Sequence, residues 1–225
     1  MRLLVLNFML LLTLGCTQPS NKSAATAEAN GNAQDQGGAN QRGDDPPLID
    51  ALKRNDLAKA KGLIEQGADV NSRDRNGWMP LMYAASYSKP ATEILQLLLA
   101  KGVDVNAGNK EGQTALMIAA ARHEGEAVKA LLAKGADANV KDSDGSTALI
   151  LSLGDLPNLP PDAPDRVVEG LDQAVAAIVQ DLLDKGADVN VKNKRGETAL
   201  TMAQMWADHF GKQNIVRLLQ AKRKS

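Results

Sequence analysis

Residues 102–120 read GVDVNAGNKEGQTALMIAA, and the same phrase recurs three more times along the chain. GADVN stands at 67–71, GADAN at 135–139 and GADVN at 186–190, at spacings of 35, 33 and 51 residues. Each follows an apolar pair (Leu63-Ile64, Leu98-Leu99, Leu131-Leu132, Leu182-Leu183). A second glycine comes after it: Gly77, Gly112, Gly145 or Gly196. Then come MPLMYAA, TALMIAA, TALILS and TALTMA. Self-similarity at this period marks an array of small supersecondary units, each too small to cover its own apolar face.

Local chemistry gives the unit its shape. Gly67, Gly102, Gly135 and Gly186 end apolar helical runs, where a left-handed residue closes a helix without a Cβ clash. Asp, Asn and the second glycine supply turn chemistry for a projecting loop. Thr114, Thr147 and Thr198 are placed to cap the next helix through their hydroxyls, and Met79-Pro80 fills that place in the first full unit. The segment 48–66 reads as an N-terminal cap, and the last helix turns polar at Gln220, Lys222, Arg223 and Lys224. The expected fold class is all-α, a solenoid of stacked helix-turn-helix units.

These strings resemble ankyrin repeats, over roughly residues 46–225. The resemblance implies a domain at 46–225, divided as 46–73, 74–108, 109–141, 142–192 and 193–225. It departs from the family in three ways. The fourth stretch carries an insertion at about 154–170, where Pro157, Pro160, Pro161 and Pro164 forbid helix before a long helix from about Arg166 to Lys185. The closing unit has four extra residues before Gly211, lengthening its first helix by about one turn. The histidine of the family's T-P-L-H motif is replaced by Met82, Met117, Ile150 or Thr201. The insertion is read either as a functional loop on a rigid scaffold or as drift in a tolerant surface loop.

Upstream, Met1-Arg2 precedes an apolar run from Leu3 to Leu14, too short for a bilayer span and suited to a secretory signal. It ends in LTLGC, and Cys16 is the one cysteine in the sequence. This resembles a bacterial lipobox, which implies lipidation of Cys16; the alternative is an ordinary signal cut elsewhere. Residues 1–15 are then the signal and 16–45 a tether. From Thr17 to Asp45 there is no Leu, Ile, Val or aromatic residue. The expected localisation is the bacterial envelope, lipid-anchored on the periplasmic side. Thr17, where Asp would favour the inner membrane, points to the outer one.

Composition excludes several functions. The net charge of −1 offers no global attraction to nucleic acid, one cysteine allows no internal disulfide, and His123 and His209 lie far apart. No metalloprotease, esterase, P-loop or EF-hand pattern occurs. The expectation is a monomeric, non-enzymatic protein without cofactor or metal, whose partner is another protein in the periplasm. Carrying over the family's docking positions gives Arg75, Asn76, Trp78, Tyr87, Lys110, Gln113, Arg122, Lys141, Asp144, Lys192, Lys194, Arg195 and Trp206 as partner-binding residues. Aromatic and Arg side chains are the usual interface anchors. Lys141, Lys192, Lys194 and Arg195 also form a basic cluster, read either as facing an acidic partner or as simply solvated. The rival function is a hydrolase or small-ligand protein using 154–170 as a lid.

Overall fold

The structure is a computed structural model that describes residues 45–87, 92–154, 165–211 and 213–223. All belong to one compact unit, Arg42–Ser225. Cys16, the signal and nearly all of the tether lie outside the described residues, as does most of the insertion before residue 165.

Among the described residues there are ten helices and no strand. They come in pairs: α1 (Pro47–Lys53) with α2 (Leu57–Glu65), α3 (Pro80–Ala85) with α4 (Thr92–Ala100), and α5 (Ala115–Ala121) with α6 (Gly125–Ala133). The last pairs are α7 (Ala148–Leu151) with α8 (Asp165–Asp184) and α9 (Ala199–Phe210) with α10 (Asn214–Arg223). First helices touch their successors from α1 through α9, and second helices do so from α2 through α10. The result is two parallel rows of helices, the architecture of an ankyrin solenoid. The core fills the space between the rows and between successive pairs. Leu95, Leu98, Leu116, Leu131, Leu149 and Leu182 have essentially no exposed surface.

The glycines behave as their place in the repeat requires. Gly67, Gly102, Gly135 and Gly186 have φ of 89°, 75°, 86° and 83°. At three of them the N–H of the residue after the glycine reaches back to the last turn: Ala68 to the Leu63 carbonyl (2.9 Å), Ala136 to Leu131 (3.0 Å) and Ala187 to Leu182 (3.0 Å). The same motif closes α5 without glycine: His123 takes φ 58°, and Glu124 N donates to the Ala119 carbonyl at 2.9 Å. The ring is then fixed by Nε2 at 3.0 Å from the Ser152 carbonyl oxygen, one repeat further on. His123 is thereby a linking residue of the stack.

Helix caps follow the threonine pattern at two of three places. The Thr114 hydroxyl accepts from Met117 N at 3.4 Å, and Thr198 forms a reciprocal box with Thr201. Thr147 corrects the expectation. Its hydroxyl makes no cap bond, and its Oγ1 is buried without a partner. The helix it precedes, α7, has four residues, a single turn in which the cap geometry is not completed.

The two departures in length occur side by side. Aligning Leu182-Leu183 with Leu131-Leu132 puts residues 165–175 of α8 beyond the length of α6, and aligning Thr198 with Thr114 puts 206–210 of α9 beyond α5. The added turns are packed. Val168, Val175, Trp206 and Ala207 are buried. The 2% exposed Asp172 accepts from Asn214 Nδ2, at the start of α10, at 2.7 Å.

Candidate functional site

Each projecting loop is organised by one side chain at a fixed place, three residues before the second glycine. Asp74 Oδ1 accepts from the N–H groups of Asn76 and Trp78, both at 2.8 Å. Asn109 does the same for Glu111 and Gln113, Asp142 for Asp144 and Ser146, and Asn193 for Arg195 and Glu197, all at 2.8 to 3.0 Å. A shared oxygen acceptor thus fixes four loop tips in one conformation.

Neighbouring tips are then bonded to each other. Lys110 N donates to Asn76 O (3.1 Å), Ser143 N to Glu111 O (2.7 Å) and Lys194 N to Asp144 O (2.8 Å). Below the tips, the Asn of the first three GxDxN strings reaches into the next repeat. Asn106 Oδ1 accepts from Asp137 N and Asn139 Oδ1 from Asp188 N, both at 2.8 Å, while Asn139 Nδ2 donates to Gly186 O at 2.9 Å. Through Asn139 the fourth repeat keeps its register despite the insertion. The surface so built is a continuous rigid strip, which suits docking because little ordering entropy remains to be lost.

At the first tip the acceptor is also an ion-pair partner. Asp74 Oδ2 accepts from Tyr83 Oη (2.8 Å) and lies 3.0 Å from Lys53 Nζ, which is 2.7 Å from Asp45. Burial alone would raise the Asp74 carboxyl. The bonds from Tyr83, Lys53 and the Trp78 and Asn76 amides outweigh it and hold the group below its usual 3.8. For Lys53, burial disfavours the charged form, but the bonds to Asp45 and Asp74 prevail and raise it. Tyr83 is pushed upward by burial and by its bond to Asp74. This cluster fixes the first tip to α1.

Trp78 stands half-buried on that tip, its ring 5.1 Å from that of Tyr83. Together with Gln113, Met117, Ile118, Ala121, Arg122 and Leu151 it lines an open recess of about 160 Å³. Met117 and Ile118 form an apolar floor, and Gln113 and the exposed Arg122 are its polar members. The structure therefore brings Trp78, Gln113 and Arg122 to one place. Asn76 and Lys110 do not line it; they are bonded to each other on the neighbouring tips.

The other expected docking residues fall elsewhere. Arg75, Lys141, Asp144, Lys192, Lys194 and Arg195 are exposed on the tips, and Arg195 pairs with Glu197 at 3.3 Å. Tyr87 is half-buried and donates to the Leu52 carbonyl at 3.1 Å. It lines a separate opening with His123, Glu124 and Leu95. Trp206 requires correction. It has no exposed surface and packs against Phe210 at 4.3 Å, so no partner can reach it in this arrangement. It continues the buried stripe Ala199, Ala203, Trp206, Ala207, whose spacing is that of one helix face.

Residues absent from the expected set contribute as well, Met117, Ile118 and Ala121 among them. Leu151 supplies a wall of the recess, and exposed Arg73 donates from Nη1 to the carbonyls of Gly77 (3.2 Å) and Gly108 (2.7 Å), linking two tips. Arg73 shares its repeat position with Lys141 and Lys192, so alignment at the repeat period would have raised it. Among the described residues no group of three or more His, Cys, Asp or Glu side chains could hold a metal ion, and no helix is long and apolar enough to cross a membrane.

Comparison with known proteins agrees with this architecture. A family model described as ankyrin repeats (3 copies) matches residues 22–109 and 81–155, more than half of the chain. Among curated proteins, an ankyrin repeat protein of fowlpox virus (strain NVSL) is 42% identical over 57 residues. That match covers 25% of this chain, and the chain spans 11% of the relative's length.

Proposed function

The chain belongs to the ankyrin-repeat family, and from that premise we propose that it is a non-enzymatic scaffold that binds a partner protein across its loop tips and the row of first helices. Ankyrin repeats are in general protein–protein interaction modules. The observation that carries the reading here is the recess that joins the Trp78 ring, an apolar floor and the Arg122 guanidinium on a surface of mutually bonded tips. Aromatic and arginine side chains over a desolvated floor are the usual composition of an interface hot spot. Such a site holds a side chain of a partner and supplies no converging acid, base or nucleophile.

The proposal extends to location. Cys16, preceded by Gly15 and an apolar run, supports a lipid anchor, and the 16–45 stretch supports a tether that lets the scaffold work at a distance from a bacterial outer membrane, in the periplasm. Two roles fit a tethered binder: neutralising a toxin or enzyme that enters the periplasm, or protecting the envelope under stress.

The test has two arms. Tagged full chain is used to isolate a partner from envelope extract, and affinity is then measured for Trp78→Ala and Arg122→Ala. Each is expected to weaken binding by roughly ten- to a hundredfold, equivalent to about 1.4–2.7 kcal/mol. Unchanged affinity in both overturns the docking surface. For the anchor, Cys16→Ala is expected to abolish labelling by a fatty-acid probe; persistent label overturns it.

A further inference from the structure

Charge is distributed unevenly along the stack. Residues 45–70, 71–106 and 107–139 have formal net charges of −1, +1 and 0. Residues 140–190 hold three basic and ten acidic residues, a net of −7, and 191–225 hold eight basic and two acidic, a net of +6. The last two repeats are therefore strongly and oppositely charged neighbours.

Four of their exposed charges are not spent on each other. Asp165 and Glu169 of α8 and Arg217 and Arg223 of α10 are all exposed, and among the described residues neither arginine pairs with α8. The bond that joins the two helices runs instead between Asp172 and the neutral Asn214. The same two repeats carry the exposed large apolar side chains of the described residues, Val167 on α8 (49%) and Met205 on α9 (56%). Charge, exposed apolar surface and the added helical turns thus coincide at one end of the stack.

We propose that two copies of this chain pair through a two-fold interface in which the acidic α8 repeat of each lies against the basic α9–α10 repeat of the other. A two-fold axis repeats every contact, so a molecule that carries both an acidic and a basic patch satisfies both at once and closes as a dimer. Complementary fields set the register and hasten encounter, while Val167 and Met205 supply apolar contact that charge alone lacks. Trp78 and Arg122 lie three and two repeats from the terminal one, and the recess meets the acidic repeat only at Leu151 of α7, so pairing through α8 leaves it open for a partner protein. The dimer departs from the monomer expected from the sequence.

The test is sedimentation equilibrium of the full chain in mild detergent at 50 mM and 500 mM salt. A dimer is expected at low salt, weakened roughly tenfold or more at high salt as screening shortens the reach of the charges. Arg217→Glu with Arg223→Glu, and separately Asp165→Lys with Glu169→Lys, are each expected to give monomers. The first set mixed with the second is expected to restore a heterodimer. All four positions are exposed, and circular dichroism checks that both variants fold. A wild-type chain that stays monomeric at low salt, or variants that do not complement each other, overturns the proposal, and an acidic protein would then be the occupant to seek.

Discussion

Replacing Asp74 tests how the first tip is built, because the repeats contain their own control. Asp74→Ala removes the acceptor of two backbone N–H groups, of the Tyr83 hydroxyl and of the Lys53 ammonium. A net backbone hydrogen bond contributes about 1 kcal/mol, and breaking a buried pair about 3–5 kcal/mol. The Lys53 side chain is 35% exposed and keeps Asp45, so the ionic part is discounted, leaving about 2–4 kcal/mol in all. Asp74→Asn should be much milder, about 1 kcal/mol, since Asn109 and Asn193 occupy the equivalent place and accept the same two N–H bonds. The assay is urea unfolding of the full chain followed by circular dichroism between pH 7 and pH 2. The folded Asp74 carboxyl lies below its ordinary 3.8, so its contribution is complete above that value and is lost as pH falls through the lower folded value. The gap between wild type and Asp74→Asn should therefore close at acid pH. Equal destabilisation by Ala and Asn, or a gap that does not change with pH, refutes the reasoning.

Further substitutions probe separate parts of the account. Gly77→Ala places a Cβ 3.0 Å from Lys110 N at a φ of +78°; a loss of about 1–2 kcal/mol is expected in thermal unfolding, and an unchanged midpoint would count against the bonded tips. Asn139→Ala removes two bonds to the following repeat, with an expected loss of about 1–2 kcal/mol and the largest rise in amide exchange between Gly186 and Asn190. Thr114→Val should destabilise by about 1 kcal/mol while Thr147→Val, which loses no cap bond, should be neutral or stabilising. Trp206→Ala should cost about 3–5 kcal/mol as a cavity mutation, whereas Trp78→Ala acts mainly on partner affinity.

The parts of this fold that were legible from sequence are those governed by short-range stereochemistry. The GxDxN strings specify a left-handed residue and a turn wherever they occur, and the structure has positive φ at all eight glycines that the repeat places there. Trp206 lies on the added turns of α9, outside the repeat template, so a docking position carried over from the family does not apply there, and its spacing from Ala199 and Ala203 places it on the buried face. Thr147 occupies the cap place of α7, yet its hydroxyl makes no cap bond. In sequence Asp172 is one of several acids on a long helix. Only its position opposite Asn214, 42 residues away, shows it buried and bonded.

The most direct measurement of the central claim is amide hydrogen exchange on the full chain, with and without the partner it captures. The account predicts slowed exchange at residues 74–78 and 109–113 and around Arg122, with the outward surfaces of α2, α4 and α6 unchanged. Protection confined to those second helices, with the tips exchanging as before, would contradict it.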